Sequence, residues 1–382
     1  MNDKEVSELR RRLRPDKNNI SHIYGCYVNE RREILSSFDL PLVSTPAEEV
    51  EKYMALLKKG LSGSLGKNLL DLSFSTTQVV EGEEHKLLMT LRNTALKEES
   101  ARSAFFQKII GSLAMEGNYL VLIAADTYDI PFRGKDGQGM EDASSEMFSY
   151  FLCVLCPVKP TKPGLRYCAE DSGFHSRIAD WVVAPPELGF LFPAFDDRSA
   201  NLYGALYYTK DPAEIHEELI DALFQIEPPM PPAEQKETFR SILGDALEED
   251  CSLEVVQSVH NGITAALEAH KASKQTDPLT FSKYEVRDLL EDAGVPDQRV
   301  TAFESRFDEQ FGAEAELPPK NLIDARAFEL KTPDVVIKVN PARSDLVEAR
   351  VIDGRHYILV SAEGGVEVNG VPVHIASEAA PL

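Results

Sequence analysis

The sequence predicts an α/β protein of the α+β kind, with an N-terminal mixed-sheet α/β domain, a proline-rich linker, an acidic helical subdomain and a C-terminal antiparallel β-meander. Three observations carry this expectation. Two continuous apolar runs of strand length, Tyr119–Ala125 and Tyr150–Pro157, read as central strands covered on both faces. Four prolines, Pro228, Pro229, Pro231 and Pro232, interrupt the chain past its middle and suit an extended spacer. Beyond residue 320 the apolar pattern shortens to that of small strands, with Asp353-Gly354 and Asn369-Gly370 as two-residue hairpin turns. A chain of 382 residues exceeds the size at which one core stops growing. Domains are therefore expected at 1–226 and 234–376, joined by 227–233, the second made of helices (234–316) and then strands (322–376).

The elements follow in order. A charged helix is expected over Asp3–Arg14, stopped by Pro15. Ile20–Val28 and Glu33–Phe38, separated by polar residues, form a hairpin pattern. Thr45-Pro46-Ala47-Glu48 supplies a cap, a first-turn proline and a returning glutamate, so a helix should reach Lys59. Strands are expected at Leu69–Phe74 and Lys86–Arg92, then a helix from Lys97 to Met115. Pro131–Asp142, rich in Gly and charge, reads as an exposed loop. Trp181–Val183, Gly189–Phe195 and Leu206–Tyr208 are the next apolar runs. Asp211-Pro212-Ala213-Glu214 repeats the capping pattern and should open a helix to Phe224. Four acidic helices are expected after the linker, at Gln235–Leu247, Leu253–Ala272, Ser282–Ala293 and Asp297–Gly312, with Ser282 and Glu285 as a capping box. Six strands should close the meander: Phe328–Lys331, Val335–Val339, Val347–Ile352, His356–Ser361, Val366–Val368 and Val371–Ile375. Ser377–Leu382 should be frayed.

Composition narrows the function classes. With 43% hydrophobic residues each part can bury a core, so disorder over the whole chain is excluded. No apolar run reaches membrane-spanning length and Met1–Arg14 does not resemble an export signal, so no membrane partner is expected. Five scattered cysteines, Cys26, Cys153, Cys156, Cys168 and Cys251, read as free thiols of a reducing cytoplasm. The net charge of −23 argues against a surface that attracts polyanions everywhere. It is uneven, however. Residues 211–316 hold 25 acidic and 8 basic side chains, whereas residues 1–32 hold 8 basic and 5 acidic.

Three catalytic motifs fail at a named residue or spacing, and a fourth is expected by chance. Gly60 to Asn68 resembles a phosphate loop, but five residues separate Gly60 from Gly66, Asn68 replaces the magnesium-binding hydroxyl, and a helix precedes it. His216-Glu217 opens like a zinc-protease signature, yet Ile220 stands where the second histidine is needed. Cys153 and Cys156 have redox spacing but sit in an apolar strand, where they point to opposite faces. Glu84 and Lys86 with Asp71 suggest a metal-nuclease set, a pattern common by chance in so acidic a chain. No catalytic residue, metal ligand or cofactor is therefore assigned, and the chain leans away from being an enzyme.

Two clusters stay as candidates. Arg10, Arg11, Arg12, Arg14 and Lys17, joined by Arg31 and Arg32, are the nucleic-acid-binding candidates, suited to phosphates without reading sequence. His175, Arg177, Asp180, Trp181, Asp196, Asp197 and Arg198 mix charge with the single tryptophan and are candidates for a polar pocket.

Four phrases, Ile23–Val28, Leu61–Asn68, Gly189–Phe195 and Lys331–Asn340, resemble an uncharacterised bacterial family common in Firmicutes, domain-of-unknown-function family 4317. That resemblance spans nearly the whole chain and implies no function. The order of elements is also remotely similar to the 37-kilodalton nucleoid-associated proteins of proteobacteria. The parallel runs from the helix at Phe105–Leu113 through both core strands and the acidic helices to Leu317–Leu322 and the strands beyond. This second resemblance implies a homodimeric, non-enzymatic protein at the nucleoid. Sequence-nonspecific contact with duplex DNA is thus the leading expectation. A small-ligand protein or enzyme using the Arg177, Trp181 and Asp196 cleft, and an acidic protein-interaction scaffold, are its rivals.

Overall fold

The computed structural model describes residues 1–133, 139–273, 278–325, 327–368 and 370–373. Two compact units divide between Gln235 and Lys236.

The first unit is built on a sheet whose named strands all pair antiparallel. Its elements begin with α1 (Asp3–Arg12), β1 (His22–Val28), β2 (Ile34–Pro41), α2 (Ala47–Lys59), β3 (Leu69–Ser73) and α3 (Thr76–Glu81). Next come α4 (Glu83–Asn93), α5 (Glu99–Ser112), β4 (Asn118–Arg133) and β5 (Gly139–Pro160). Shorter strands follow: β6 (Gly164–Cys168), β7 (Gly173–Arg177), β8 (Trp181–Val183), β9 (Leu188–Phe192), β10 (Ala194–Asp196), β11 (Ser199–Asn201) and β12 (Gly204–Thr209). Helix α6 (Glu217–Phe224) completes the unit. The strand order is β2-β1-β4-β5-β9-β12-β3, with β8 added to the end of β5.

Alternation along the central strands explains the layers. Tyr119, Val121 and Ile123 of β4 face one core with Leu88, Leu91, Phe105, Ile109 and Leu219 from α4, α5 and α6. Leu120, Leu122 and Ala124 face the opposite core with Val6, Leu9, Val50, Met54 and Leu57 from α1 and α2. Helices thus cover both faces, which is why these runs carry no polar alternation. Cys153 and Cys156 fall in opposite cores, both buried, and burial pushes the Cys153 thiol far up and that of Cys156 up to about 12.

Several expectations need correction. The sheet is antiparallel rather than mixed, because its helices lie over the faces without serving as crossovers between parallel neighbours. The strand expected at Lys86–Arg92 lies in α4: Glu84, His85, Leu88 and Leu91 are its buried positions, the three-to-four spacing of a helix face. Most of the loop expected at Pro131–Asp142 is strand, since β4 and β5 pair as far as Arg133 with Gly139; residues 134–138 lie outside the described residues. Asp211–Glu214 forms a turn, with the Asp211 carboxylate accepting from Ala213 N and the Thr209 hydroxyl donating to the carbonyls of Asp211 and Glu214. Helix α6 therefore starts only after His216, which takes a left-handed conformation. Thr45 does not cap α2 either, because its hydroxyl donates to the Pro41 carbonyl and Pro46 occupies the cap position.

The second unit contains α7 (Pro232–Leu247, whose first turn straddles the division), α8 (Leu253–Ser273), α9 (Lys283–Asp292) and α10 (Asp297–Phe311). They share a core of Phe239, Val259, Ile263, Leu290, Phe303 and Phe307. Ser282 and Glu285 form the expected capping box at α9. Strands β13 (Phe328–Lys331), β14 (Val336–Val339), β15 (Val347–Ile352), β16 (Arg355–Val360), β17 (Val366–Val368) and β18 (Val371–Val373) follow. They do not form one meander. Each consecutive pair is a separate two-stranded hairpin. A 3-10 turn over Pro341–Leu346 separates the first two, held to α8 where Gln257 donates to the carbonyls of Ser344 and Val347. The Asp353-Gly354 turn has both residues left-handed, as a tight hairpin requires. Asn369 and residues 374–382, including the expected frayed end, lie outside the described residues.

Candidate functional site

Members of the two sequence clusters, Arg12 from one and Asp197 and Arg198 from the other, meet at one place. Helix α1 buries Val6 and Leu9 against the sheet, with Leu13 just beyond its end, and this presents Glu5, Glu8 and Arg12 to β4, β5 and the β10–β11 turn. The Arg12 guanidinium lies 3.0 Å from the buried Asp126 carboxylate and 4.3 Å over the Tyr128 ring. Asp126 also accepts from the Tyr150 hydroxyl at 2.8 Å and the Asn19 amide at 2.7 Å. Burial, then the Asp126 charge, pushes the Tyr150 hydroxyl far up, so it remains a donor. Tyr128 donates to Glu8, and burial with that bond pushes its hydroxyl up to about 12. Asp197 and Arg198 are the left-handed pair that turns β10 into β11, which aims Arg198 at Glu8, 2.8 Å away, with its backbone amide on Glu5.

Arg12 and Arg198 are thereby both enclosed within the first unit. Each guanidinium is closed by a carboxylate and by backbone carbonyls, Thr127 for Arg12 and Pro131 for Arg198. The arrangement fastens α1 to the sheet and exposes no uncompensated charge.

The remaining phosphate candidates disperse. Arg31 and Arg32 sit in the β1–β2 turn, with Arg32 donating to the Gly111 carbonyl at the end of α5. Arg10 is half-buried, its Nε buried without a partner. Arg11, Arg14 and Lys17 are exposed, and no acidic partner is found for them among the described residues. The pocket candidates also separate. Asp196 accepts from Asn201, beside α1, whereas His175, Arg177, Asp180 and Trp181 belong to another part of the unit. There His175 pairs with Asp171, and Arg177 lies 3.4 Å from Asp180. No cleft is formed from the two groups. The nuclease-like trio is likewise broken up, since Glu84 pairs with Lys108 and Lys86 with Glu83.

Sequence reasoning missed what β6 and β7 build. The β5–β8 ladder runs to Pro160 and Trp181, Thr161 N donates to the Asp180 carbonyl, and β6–β7 continues as a two-stranded arm. Leu165 pairs with Ser176 and Tyr167 with Phe174, so these side chains share one face; Arg166, His175 and Arg177 share the other. Leu165, Phe174 and Tyr167 are 75, 69 and 57% exposed, and the two rings touch at 5.5 Å. A period-two reading of Leu165-Arg166-Tyr167 and Phe174-His175 was the available signal, obscured by the irregular residues around it.

A groove of about 270 Å³ lies at the β2 edge of the sheet, between β2 and helix α5. Ile34 and Phe106 give it apolar walls, Asp39 and Glu99 line it with carboxylates, and the Phe38 ring covers Gly25 on the other face of the sheet. Arg102 is spread over the Tyr24 ring at 4.1 Å and donates to the Leu96 carbonyl. Burial, then Asp39, pushes the Tyr24 hydroxyl up. Gly25 is required here, because a Cβ would run into the Phe38 ring. Among the described residues no group of three or more His, Cys, Asp or Glu side chains is arranged to hold a metal ion. Among them too, no helix is long and apolar enough to cross a membrane.

The model of a family described as Domain of unknown function (DUF4317) matches residues 1–371, and the chain belongs to that family. No curated protein matches the chain.

Proposed function

We propose, from membership of a family without an assigned function, that this is a binding protein whose docking element is the β6–β7 arm and whose target is another protein. The observation that carries this reading is the arm's amphipathic build. Three large apolar side chains lie together on one exposed face, and Arg166, His175 and Arg177 lie on the other. Exposed aromatic and aliphatic side chains grouped beside arginine are the composition of interface anchors. Arg177 is balanced locally by Asp180 and His175 is bonded to Asp171, which favours a protein surface over a polyanion. A photoreactive phenylalanine analogue at Tyr167 should crosslink to protein in cells, and Leu165→Asp should abolish the product. Absence of any protein adduct would overturn the reading.

A second reading, sequence-independent contact with duplex DNA, is favoured by Arg11, Arg14 and Lys17, exposed and without an acidic partner among the described residues. It expects a low-salt gel shift that weakens when all three are changed to Ala. Binding unaffected by the triple change, or no binding at micromolar protein, would remove it.

A further inference from the structure

The groove beside β2 has the requirements of a strand-docking site. Strand β2 pairs only with β1 among the described residues, so its outer edge offers an unmatched row of backbone donors and acceptors. Its sequence, Ile34-Leu-Ser-Ser-Phe-Asp-Leu-Pro41, lacks the lysines with which exposed edges are usually blunted. Ile34 and Leu35 at its start are left exposed. Helix α5 runs beside it and closes the other wall, so an extended segment could pair with the edge while every second side chain enters the groove.

The two faces at this edge describe its occupant. Side chains of an added strand alternate between them: those on the α5 face meet Asp39 and Glu99, which require cationic groups, and those on the other face meet the Phe38 side, which requires apolar ones. Arg102 is held against Tyr24 and the Leu96 carbonyl, so the two carboxylates stand in excess over one cation. Strand β6 carries that alternation: Leu165, Arg166, Tyr167. The arm also leaves the sheet at the end where β2 begins. Val158 of β5 lies opposite Asn118, Tyr119 lies opposite Val28, and Val28 lies opposite Ile34. We infer that the arm's target is a second copy of this chain, the β6–β7 arm of each copy docking along β2 and α5 of the other. Such an exchange is isologous and closes as a two-fold dimer.

This inference rests on the arm being a protein-docking element, and the test separates the two. Wild-type protein should sediment at twice the 42.4 kDa of the chain, and Leu165→Asp with Phe174→Asp should return it to the monomer mass. Arg166→Glu alone should place like charges in both interfaces, and so should Asp39→Lys alone, each giving monomers. In an equimolar mixture the acidic arm of the Arg166→Glu variant meets the basic groove of the Asp39→Lys variant. The second interface of that pair keeps Arg166 against Asp39, so the mixture should restore the dimer. A monomeric wild type, or a dimer indifferent to the arm and groove changes, overturns the inference. The Tyr167 photocrosslink tells the claims apart. An adduct between two copies supports both, an adduct to a different protein overturns the self-docking alone, and no adduct overturns both.

Discussion

The α1 network and the β6–β7 arm draw on the same vocabulary of arginine, carboxylate and aromatic ring, yet they are opposite in construction. Around Asp126 every charge has a partner on a different element, from Arg12 on α1 to Tyr150 on β5. In the arm the ion pairs join residues three or four positions apart, and the large apolar side chains face outward. Long-range closure uses polar groups to fix the fold, whereas local closure leaves a surface available for recognition. Density of charge and aromatic residues along the sequence does not tell these apart; the sequence distance between partners does.

The comparison breaks most visibly at Asp126. Asp126→Ala leaves Arg12 half-buried without a counter-charge and strips acceptors from Tyr150 and Asn19. The expected loss is about 3–5 kcal/mol of first-unit stability, read by denaturant titration with hydrogen exchange reporting on α1 and β4. A cost below about 1 kcal/mol would show that the network is not the fastening of α1. Tyr150→Phe is the milder version, removing one donor of several, and should cost roughly 1–2 kcal/mol in the same titration.

Legibility follows the same division. The central strands, the hairpin at β1–β2, the four acidic helices and the Ser282 capping box are readable because periodicity and caps are local properties. Helix α4 escapes the reading because Lys86–Arg92 seen alone is an apolar run, and its helical face becomes apparent only when Glu84 and His85 are included. The C-terminal strands are readable singly, but their failure to join into one sheet depends on the turn at Pro341–Leu346 and its anchorage to α8. Among the site residues, Arg12 and Arg198 are bonded to partners 114 and 190 positions away, a pairing that no local pattern announces. The groove joins β2 to α5 through the fold alone, so no spacing in the sequence announces it.

A further contrast lies in the second unit, where a buried polar group is satisfied only on one side. His260 faces the Asp324 carbonyl through Nε2 at 3.1 Å and Phe328 edge-on, while its Nδ1 is buried without a partner. Burial lowers its pKa from the ordinary 6.5. The unfolded chain therefore takes up this proton at a higher pH than the folded one, so the contribution is fully present above 6.5 and is lost as pH falls through the lowered folded value. Protection against hydrogen exchange in α8, relative to the intrinsic rate at each pH, should fall below pH 6.5, and His260→Gln should flatten that dependence. Equal acid sensitivity in the variant would assign it to other groups.

The arm should show the smallest effect on stability. In a single copy of the chain the arm's apolar face touches solvent, so Leu165→Asp and Phe174→Asp remove no buried contact there. Measured at concentrations too dilute for association, the double variant should match the wild-type stability to within about 0.5 kcal/mol, in contrast to the several kcal/mol expected at Asp126. A loss above about 2 kcal/mol would mean that Leu165 and Phe174 are packed within their own chain, which would make the arm another closed structural element like the α1 network. Unchanged stability with lost association is the combination that only a recognition surface produces, because its contacts exist in the complex and not in the free chain.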